Sequence, residues 1–306
     1  MSLSQLSVRI AKDFRKNKLI YLMAVPMVVF LLLFRYLPML GLSIAFQDFK
    51  YRVGFFGSKW VGLKHFKSFV SGYYFSRVIT NTLMISFLDL VFVFPMPILF
   101  ALLINEMRCQ PYKRLVQTIS YMPHFISIIV FSSMIIEFCS FDGIISKLIV
   151  LCGGKPVNLL MKPEAFRGVY TVSSIWKETG WGAIIYLSAV TRVDPQLYEA
   201  AEMDGASRIG KLWHVTLPGI APTVIMMLIL KMGSMMNVGF ERIILLYNDV
   251  TMETADVIST YVYRKGLINM NYSFSTAVDF FNSIINFTLV ILTNAISRRV
   301  SETSLW

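Results

Sequence analysis

Long apolar runs separated by polar segments constrain this chain more than any other feature. They are Leu19–Phe34 with its continuation Met39–Phe46, Thr82–Ile104, Ile119–Phe138, Val169–Val190, Ile220–Val238 and Ala277–Ile296. A helix rises about 1.5 Å per residue, so about 20 apolar residues cross a hydrocarbon core of about 30 Å. The pattern predicts an all-α integral membrane protein with six transmembrane helices. Composition agrees: 56% of the 306 residues are hydrophobic and 15% are charged, against about 25% charged in soluble domains.

The first run follows a basic tail holding Arg9, Lys12, Arg15, Lys16 and Lys18. A signal peptide has the same basic start and apolar middle. Here no small-residue cleavage site follows Phe34; Arg35-Tyr-Leu-Pro38 leads into more apolar sequence instead. The run therefore reads as a retained helix, kinked or ended near Pro38. Pro95 and Pro97 predict a bend in the second span.

The organisation that follows is a basic cytosolic tail over 1–18, then a first transmembrane helix and outer segment over 19–81. A core of five transmembrane helices spans 82–296, and a cytosolic tail covers 297–306. The loops assigned to the cytosol hold as many Lys and Arg as the opposite loops, in fewer residues. With an even span count, that bias puts both termini in the cytoplasm of a multi-pass plasma-membrane protein. The outer segment 47–81, with Trp60 and Gly54-Phe-Phe-Gly57, is too long for a turn and is expected to pack on the outer helix ends.

Net charge is +11, but the basic residues flank apolar runs, which points to anionic lipid and away from nucleic acid. Cys109, Cys139 and Cys152 form no Cys-x-x-Cys pair, and His65, His124 and His214 form no zincin motif, so no metal site is expected. Gly153-Gly-Lys-Pro156 fails as a phosphate-binding loop because Pro156 stands where Ser or Thr is required.

The polar segment Glu199–Pro218 interrupts this pattern between two apolar runs. Asp194 is placed to cap a helix with Pro195 at its first position, and Val193 with Tyr198 suits a hydrophobic staple. Gly205 can end that helix in a left-handed conformation, and Ser207 can cap a second one carrying Ile209, Leu212 and Trp213 on one side. Two readings remain open from physics: a rigid protrusion that docks a partner, or an amphipathic helix lying in the headgroups.

Glu199-Ala-Ala201, Gly205 four residues on and Val215-Thr-Leu-Pro218 resemble the signature of permease subunits of binding-protein-dependent ABC importers. Val215 departs mildly from the usual Ile. Gly41–Phe49, Trp60–Phe66, Asn81-Thr-Leu83, Tyr121–Phe125 and Asp256–Arg264 are similar to the carbohydrate branch, and to permeases for oligosaccharides or polysaccharide fragments. The resemblance implies a type I ABC importer permease fold in a bacterial plasma membrane. It implies a second homologous permease, two cytosolic ATP-binding subunits and an extracellular or lipid-anchored solute-binding protein. ATP and Mg would sit on the partner ATPase, so this chain is not expected to be an enzyme or to bind a cofactor. In that family the loop 193–218 carries the coupling helix that enters a cleft of the ATPase. By position this assigns ATPase coupling to Glu199, Ala200, Ala201, Asp204, Gly205, Leu217 and Pro218.

Ionisable groups within a span are costly and mark candidate functional sites. Lys177 and Glu178 lie between Trp176 and Trp181, and indole faces with polar groups suit a sugar. The resemblance places the substrate path near this stretch and the helix after the loop, which brings in Trp176, Lys177, Glu178, Trp181, Lys231 and Asn237. A plainer reading has Lys177 and Glu178 snorkelling to an interface lined by the tryptophans. Lys231 is expected to line the pore or to pair with an acidic residue of the partner permease. Asn282 and Asn286 are expected to form interhelical hydrogen bonds. The alternative function is an ion-coupled secondary transporter using Asp89, Lys177 and Glu178, although no internal repeat supports it. A membrane transferase would need a cluster of acids, histidines or a nucleophile–base pair, and none stands out.

Overall fold

The computed structural model describes residues 16–300, which are helical apart from loops and one short pair of strands. Residues 1–15 and 301–306, most of the two expected tails, lie outside the described residues. The principal helices are α1 (Lys18–Phe46), α2 (Phe75–Asn105), α3 (Gln110–Phe125), α4 (Ile128–Cys139), α5 (Ile144–Leu151) and α6 (Pro163–Val190). They continue as α7 (Pro195–Met203), α8 (Arg208–Gly233), α9 (Phe240–Leu246), α10 (Ile258–Tyr263) and α11 (Tyr272–Val300). Strands β1 (Gln47–Asp48) and β2 (Lys59–Trp60) pair antiparallel.

Among the described residues, five segments are long and apolar enough to cross a membrane: α1, α2, α4 with α5, α8 and α11. The fourth expected run lies in α6, which has 28 residues. It is long enough, but Lys177, Glu178 and its many Ser, Thr and Gly residues keep it out of the apolar set.

The third expected run, Ile119–Phe138, is not one helix. α3 ends at Phe125, Ile126 and Ser127 are extended (ψ 131° and 147°), and α4 starts anew with Ser127 Oγ accepting from Val130 N. Pro123 sits in the last turn of α3, where a helix is already ending.

Prolines elsewhere do not break their helices. A proline lacks an N–H and its ring crowds the carbonyl four residues back. In α1, α2 and α8 the turn before the proline widens to a π-turn, at Leu32–Tyr36, Asp89–Val93 and Leu212–Thr216. The residue preceding Pro38, Pro95 or Pro218 then donates to the carbonyl five back: Leu37 to Leu32, Phe94 to Asp89 and Leu217 to Leu212. The helix does not end near Pro38 but runs on to Phe46, its last turns tightened to 3-10 geometry.

α6 is the central helix, packed against α2, α3 and α8. Gly180 makes the closest approach: a Cβ there would lie 2.0 Å from the Ser120 carbonyl oxygen of α3. Leu102, Val190 and Ile220 close the end nearest α7, and Ala101, Ala183 and Tyr186 fill the middle. The opposite end is built by Phe131, Phe166, Tyr170, Ile243 and Val257, beside a second cluster of Phe69, Val78, Met236, Ile258, Tyr261 and Val278. By contrast, Lys18–Leu31 of α1 buries no residue.

The expectation that 47–81 packs on the helix ends is met. Phe49 N donates to Ser273 Oγ at 2.9 Å, and the Phe46 and Phe66 rings meet Phe280. The same end carries a buried carboxylate. Asp256, fully buried, accepts from Arg77 at 3.0 Å, from Arg264 at 2.7 and 3.0 Å, and from Thr260 at 2.9 Å. Asn81 donates to the backbone of Glu253 and Asp256 and accepts from Arg167 at 2.8 Å. Two segments far apart in sequence are tied together here by charge.

Candidate functional site

Two sites emerge: a small-residue protrusion at one end of the bundle, and a polar cavity within it. The protrusion is α7 and the start of α8. Asp194 caps α7, its Oδ1 accepting from Gln196 N at 2.9 Å, and Pro195 takes the first helical turn. Gly205 adopts φ +76°, a conformation that favours glycine. The chain there turns back so that Ala206 N donates to Ala201 O at 2.9 Å. Ser207 Oγ then accepts from Gly210 N, opening α8. These are the local features expected from the spacing.

Two contacts make the protrusion a unit with its span. Lys211 reaches Glu202 at 3.5 Å, and the Tyr198 hydroxyl lies 3.0 Å from Thr216 Oγ1. Val193 packs with Leu212, Leu217 and Val190, at the foot of the protrusion. Glu199, Ala200, Asp204, Gly205 and Pro218 are exposed, Ala201 and Leu217 half-buried. Leu197, Met203, Ile209 and Trp213 add apolar surface at the same end.

The cavity, about 570 Å³, lies between α2, α6, α8 and the stretch 234–242. Glu178, Trp181, Lys231 and Asn237 line it, joined by Asp89, Tyr170 and Arg242. Its volume falls within the about 300–1,000 Å³ of small-molecule sites. Trp181 stacks on His124 with ring centroids 4.7 Å apart and planes 5° from parallel, and His124 Nδ1 is 3.9 Å from Glu178 Oε2. This presents a flat aromatic face beside a carboxylate, a surface suited to the C–H face of a sugar ring.

Trp176 and Lys177 are not among the lining residues. Trp176 leans on Phe131 and Phe138. Lys177 does not snorkel: it is buried, with Nζ 3.1 Å from Pro123 O and 2.9 Å from Ile126 O, over the Phe131 ring at 4.7 Å. It thus occupies the end of α3, where carbonyls lose their helical partners.

The acid paired with Lys231 is Asp89 of this same chain. Of the two expectations for Lys231, it lines the cavity, and its acid lies on this chain and not on a partner subunit. Asp89 opens the π-turn Asp89–Val93, and it lines the cavity together with Lys231 of α8. Asn237 Oδ1 accepts from Asn282 at 2.8 Å and Asn286 at 3.2 Å, so those asparagines of α11 bond to the non-helical stretch after α8 and not to a second helix.

The family model for the binding-protein-dependent transport system inner membrane component matches residues 68–302. This chain belongs to that family. Its members are transport permeases, which displaces the ion-coupled secondary transporter as a reading. The polygalacturonan/rhamnogalacturonan transport system permease protein YteP of Bacillus subtilis is 44% identical over 95% of this chain and 91% of its own length. Protein LplB of the same organism is 43% identical over 95% of this chain and 92% of its own. A chain in the crystal structure of a bacterial alginate ABC transporter, in complex with an alginate pentasaccharide-bound periplasmic protein, superposes with a TM-score of 0.90. That match is 42% identical and covers 97% of this chain and 100% of the other.

Within this permease, sequence reasoning found the protrusion and four of the cavity residues but missed Arg242 and Tyr170. Arg242 sits in a stretch assigned to an outer loop, and nothing local marks its burial. Tyr170 stood at the start of an apolar run as one aromatic among many.

Proposed function

We propose that this chain is the pore-forming permease of an ATP-driven importer of oligosaccharides or polysaccharide fragments, and that its cargo is acidic. The observation that carries this reading is the full-length similarity to permeases serving polygalacturonan/rhamnogalacturonan and alginate, both of them carboxylate-bearing polymers. The complete machine comprises a second permease, two cytosolic ATP-binding subunits holding ATP and Mg, and an external solute-binding protein.

In this reading α6 is the sixth transmembrane helix, its polar groups facing the pathway, and both termini are cytosolic. The unburied surface of α1 faces lipid and the second permease. α7 is the coupling helix. Glu199, Ala200, Ala201, Asp204 and Gly205 form the face that docks in the ATPase, and Leu217-Pro218 returns the motion to α8. Closure of the ATPases on ATP moves α7, and the contacts of Lys211, Tyr198 and Val193 carry that motion into the spans. Cargo passes along Glu178, Trp181, Lys231 and Asn237, with Trp176 and Lys177 holding the wall behind.

The test is purification of the tagged chain from its native membrane, followed by reconstitution with whatever assembles on it. Co-purification of an ATPase and a second permease, and ATP-dependent uptake of labelled oligogalacturonides with the binding protein present, are expected. A lone homo-oligomer, or uptake that needs no ATP, overturns the proposal.

A further inference from the structure

Among the described residues two Lys or Arg residues are buried, Lys177 and Arg242. Lys177 takes three backbone carbonyls, while the half-buried Arg77 and Arg264 share Asp256, Arg167 holds Asn81 and Lys231 faces Asp89. Arg242 is as buried as Lys177, at 8% exposure, yet its Nε and Nη1 have no acceptor among the described residues. An arginine stays charged at any ordinary pH, so burial cannot neutralise it. Buried charges are paired as a rule, because desolvation is otherwise uncompensated.

The surroundings of Arg242 indicate where its counter-charge comes from. The guanidinium lies 4.2 Å over the Tyr170 ring, which fixes its plane and offsets part of the desolvation. Both residues line the cavity. Of the acids there, Asp89 is engaged by Lys231, and Glu178 lies beside His124. Gly239 keeps the approach open: a Cβ on it would come within 2.8 Å of the Tyr170 hydroxyl and 3.9 Å of Arg242 Nη2. A planar guanidinium without an acid partner, set over an aromatic ring at the wall of a cavity, matches a carboxylate borne on a sugar ring.

We propose that Arg242 is the carboxylate-recognition residue of the transmembrane pathway, engaging a uronic-acid unit of the cargo as it passes Tyr170. Trp181, backed by the stacked His124 ring, offers an aromatic surface in the same cavity. This rests on the reading of the cargo as an acidic saccharide.

The experiment measures equilibrium binding of labelled trigalacturonate, and of its neutral trimethyl ester, to the assembled permease–ATPase complex without the solute-binding protein. Wild type is expected to bind the acid better than the ester. Arg242→Gln is expected to weaken trigalacturonate binding about tenfold or more, the weight of one charge-assisted hydrogen bond, and to leave the ester unchanged. Arg242→Lys keeps the charge without the fork and is expected to fall between them; it carries the test if Arg242→Gln fails to assemble. Unchanged acid binding in the variants, or equal loss for acid and ester, overturns the role of Arg242 and leaves the cargo reading standing. A wild-type complex that binds neither probe, or prefers the ester, overturns the acidic-cargo reading and this site with it.

Discussion

The ammonium of Lys177 donates to Ile126 O at 2.9 Å and to Pro123 O at 3.1 Å, across the break between α3 and α4. A single cation on the central helix therefore caps the end of α3, adding to the Ile126 N–H on Pro123 O and supplying a donor to Ile126 O. The residue acts on the shape of the cavity wall through the backbone it holds. Lys177→Met should lower stability by about 2–3 kcal/mol, since hydrogen bonds to charged groups are worth about 1.5–3 kcal/mol each and do not add fully. The check is thermal unfolding of the detergent-solubilised complex beside uptake. A lower midpoint with residual uptake in proportion to folded protein is expected. Lost uptake at an unchanged midpoint would place Lys177 in contact with cargo instead.

Asp256 supports a second prediction, at the opposite end from α7. It is fully buried and answers two arginines, so removing its charge leaves both without a counter-ion. Breaking one side of a buried ion pair costs about 3–5 kcal/mol. Asp256→Asn should fall at the lower end, because Arg77 and Arg264 retain some solvent access. The expected result is a sharp drop in the yield of folded permease, measured by size-exclusion chromatography. Arg264→Lys should cost less, since an ammonium preserves the charge and loses the fork. Equal yields for Asp256→Asn and wild type would remove this network from the account of stability.

Much of this was legible in sequence where chemistry is local. Asp194, Gly205 and Ser207 act on backbone within a few residues, so their residue types predict their roles, and each takes the predicted one. Apolar length located the first, second, fifth and sixth expected spans for the same reason. The failures share a different cause. The break at Ile126–Ser127 lies inside a continuous apolar run, and its donor is Lys177, 51 residues on from Ile126. Asp89 and Lys231 pair across two helices, and the guanidinium of Arg242 lies over Tyr170 of α6. Such partners are fixed by helix packing, which apolar periodicity does not report. The π-turns belong here too: a proline announces a missing hydrogen bond, but not whether the helix bends, ends or widens to absorb it.

The Asp89–Lys231 pair lends itself to a charge-removal cycle. Both side chains line the cavity and both keep some exposure, so the pair is partly screened. Lys231→Met alone leaves Asp89 as an uncompensated acid in the cavity, and Asp89→Asn alone frees Lys231. Each single variant should reduce uptake several-fold, and the double variant should recover much of it if the pair serves to neutralise and space α2 against α8. Uptake by reconstituted vesicles, normalised to assembled complex, gives the coupling directly. Full uptake by Lys231→Met would show that the pair does nothing for transport.

The protrusion can be separated from the pathway because its exposed face makes few contacts within the chain. Glu199 is exposed, and reversing its charge disturbs no residue of the cavity. Glu199→Lys should therefore leave membrane insertion, stability and cargo binding unchanged while uptake and cargo-stimulated ATP hydrolysis are lost. Gly205 tests the same surface through the backbone. Its φ of +76° is disfavoured by about 1–2 kcal/mol for a residue with a Cβ, although no atom stands in the way of one. Gly205→Val should thus distort the turn that aims α7, whereas Gly205→Asn, which tolerates the left-handed region, should retain most activity. The discriminating measurement is ATPase co-purification with each variant alongside trigalacturonate binding. Loss of the ATPase with binding preserved is what a docking surface requires. Normal assembly and uptake in both Glu199→Lys and Gly205→Val would mean that the ATPase engages this permease elsewhere.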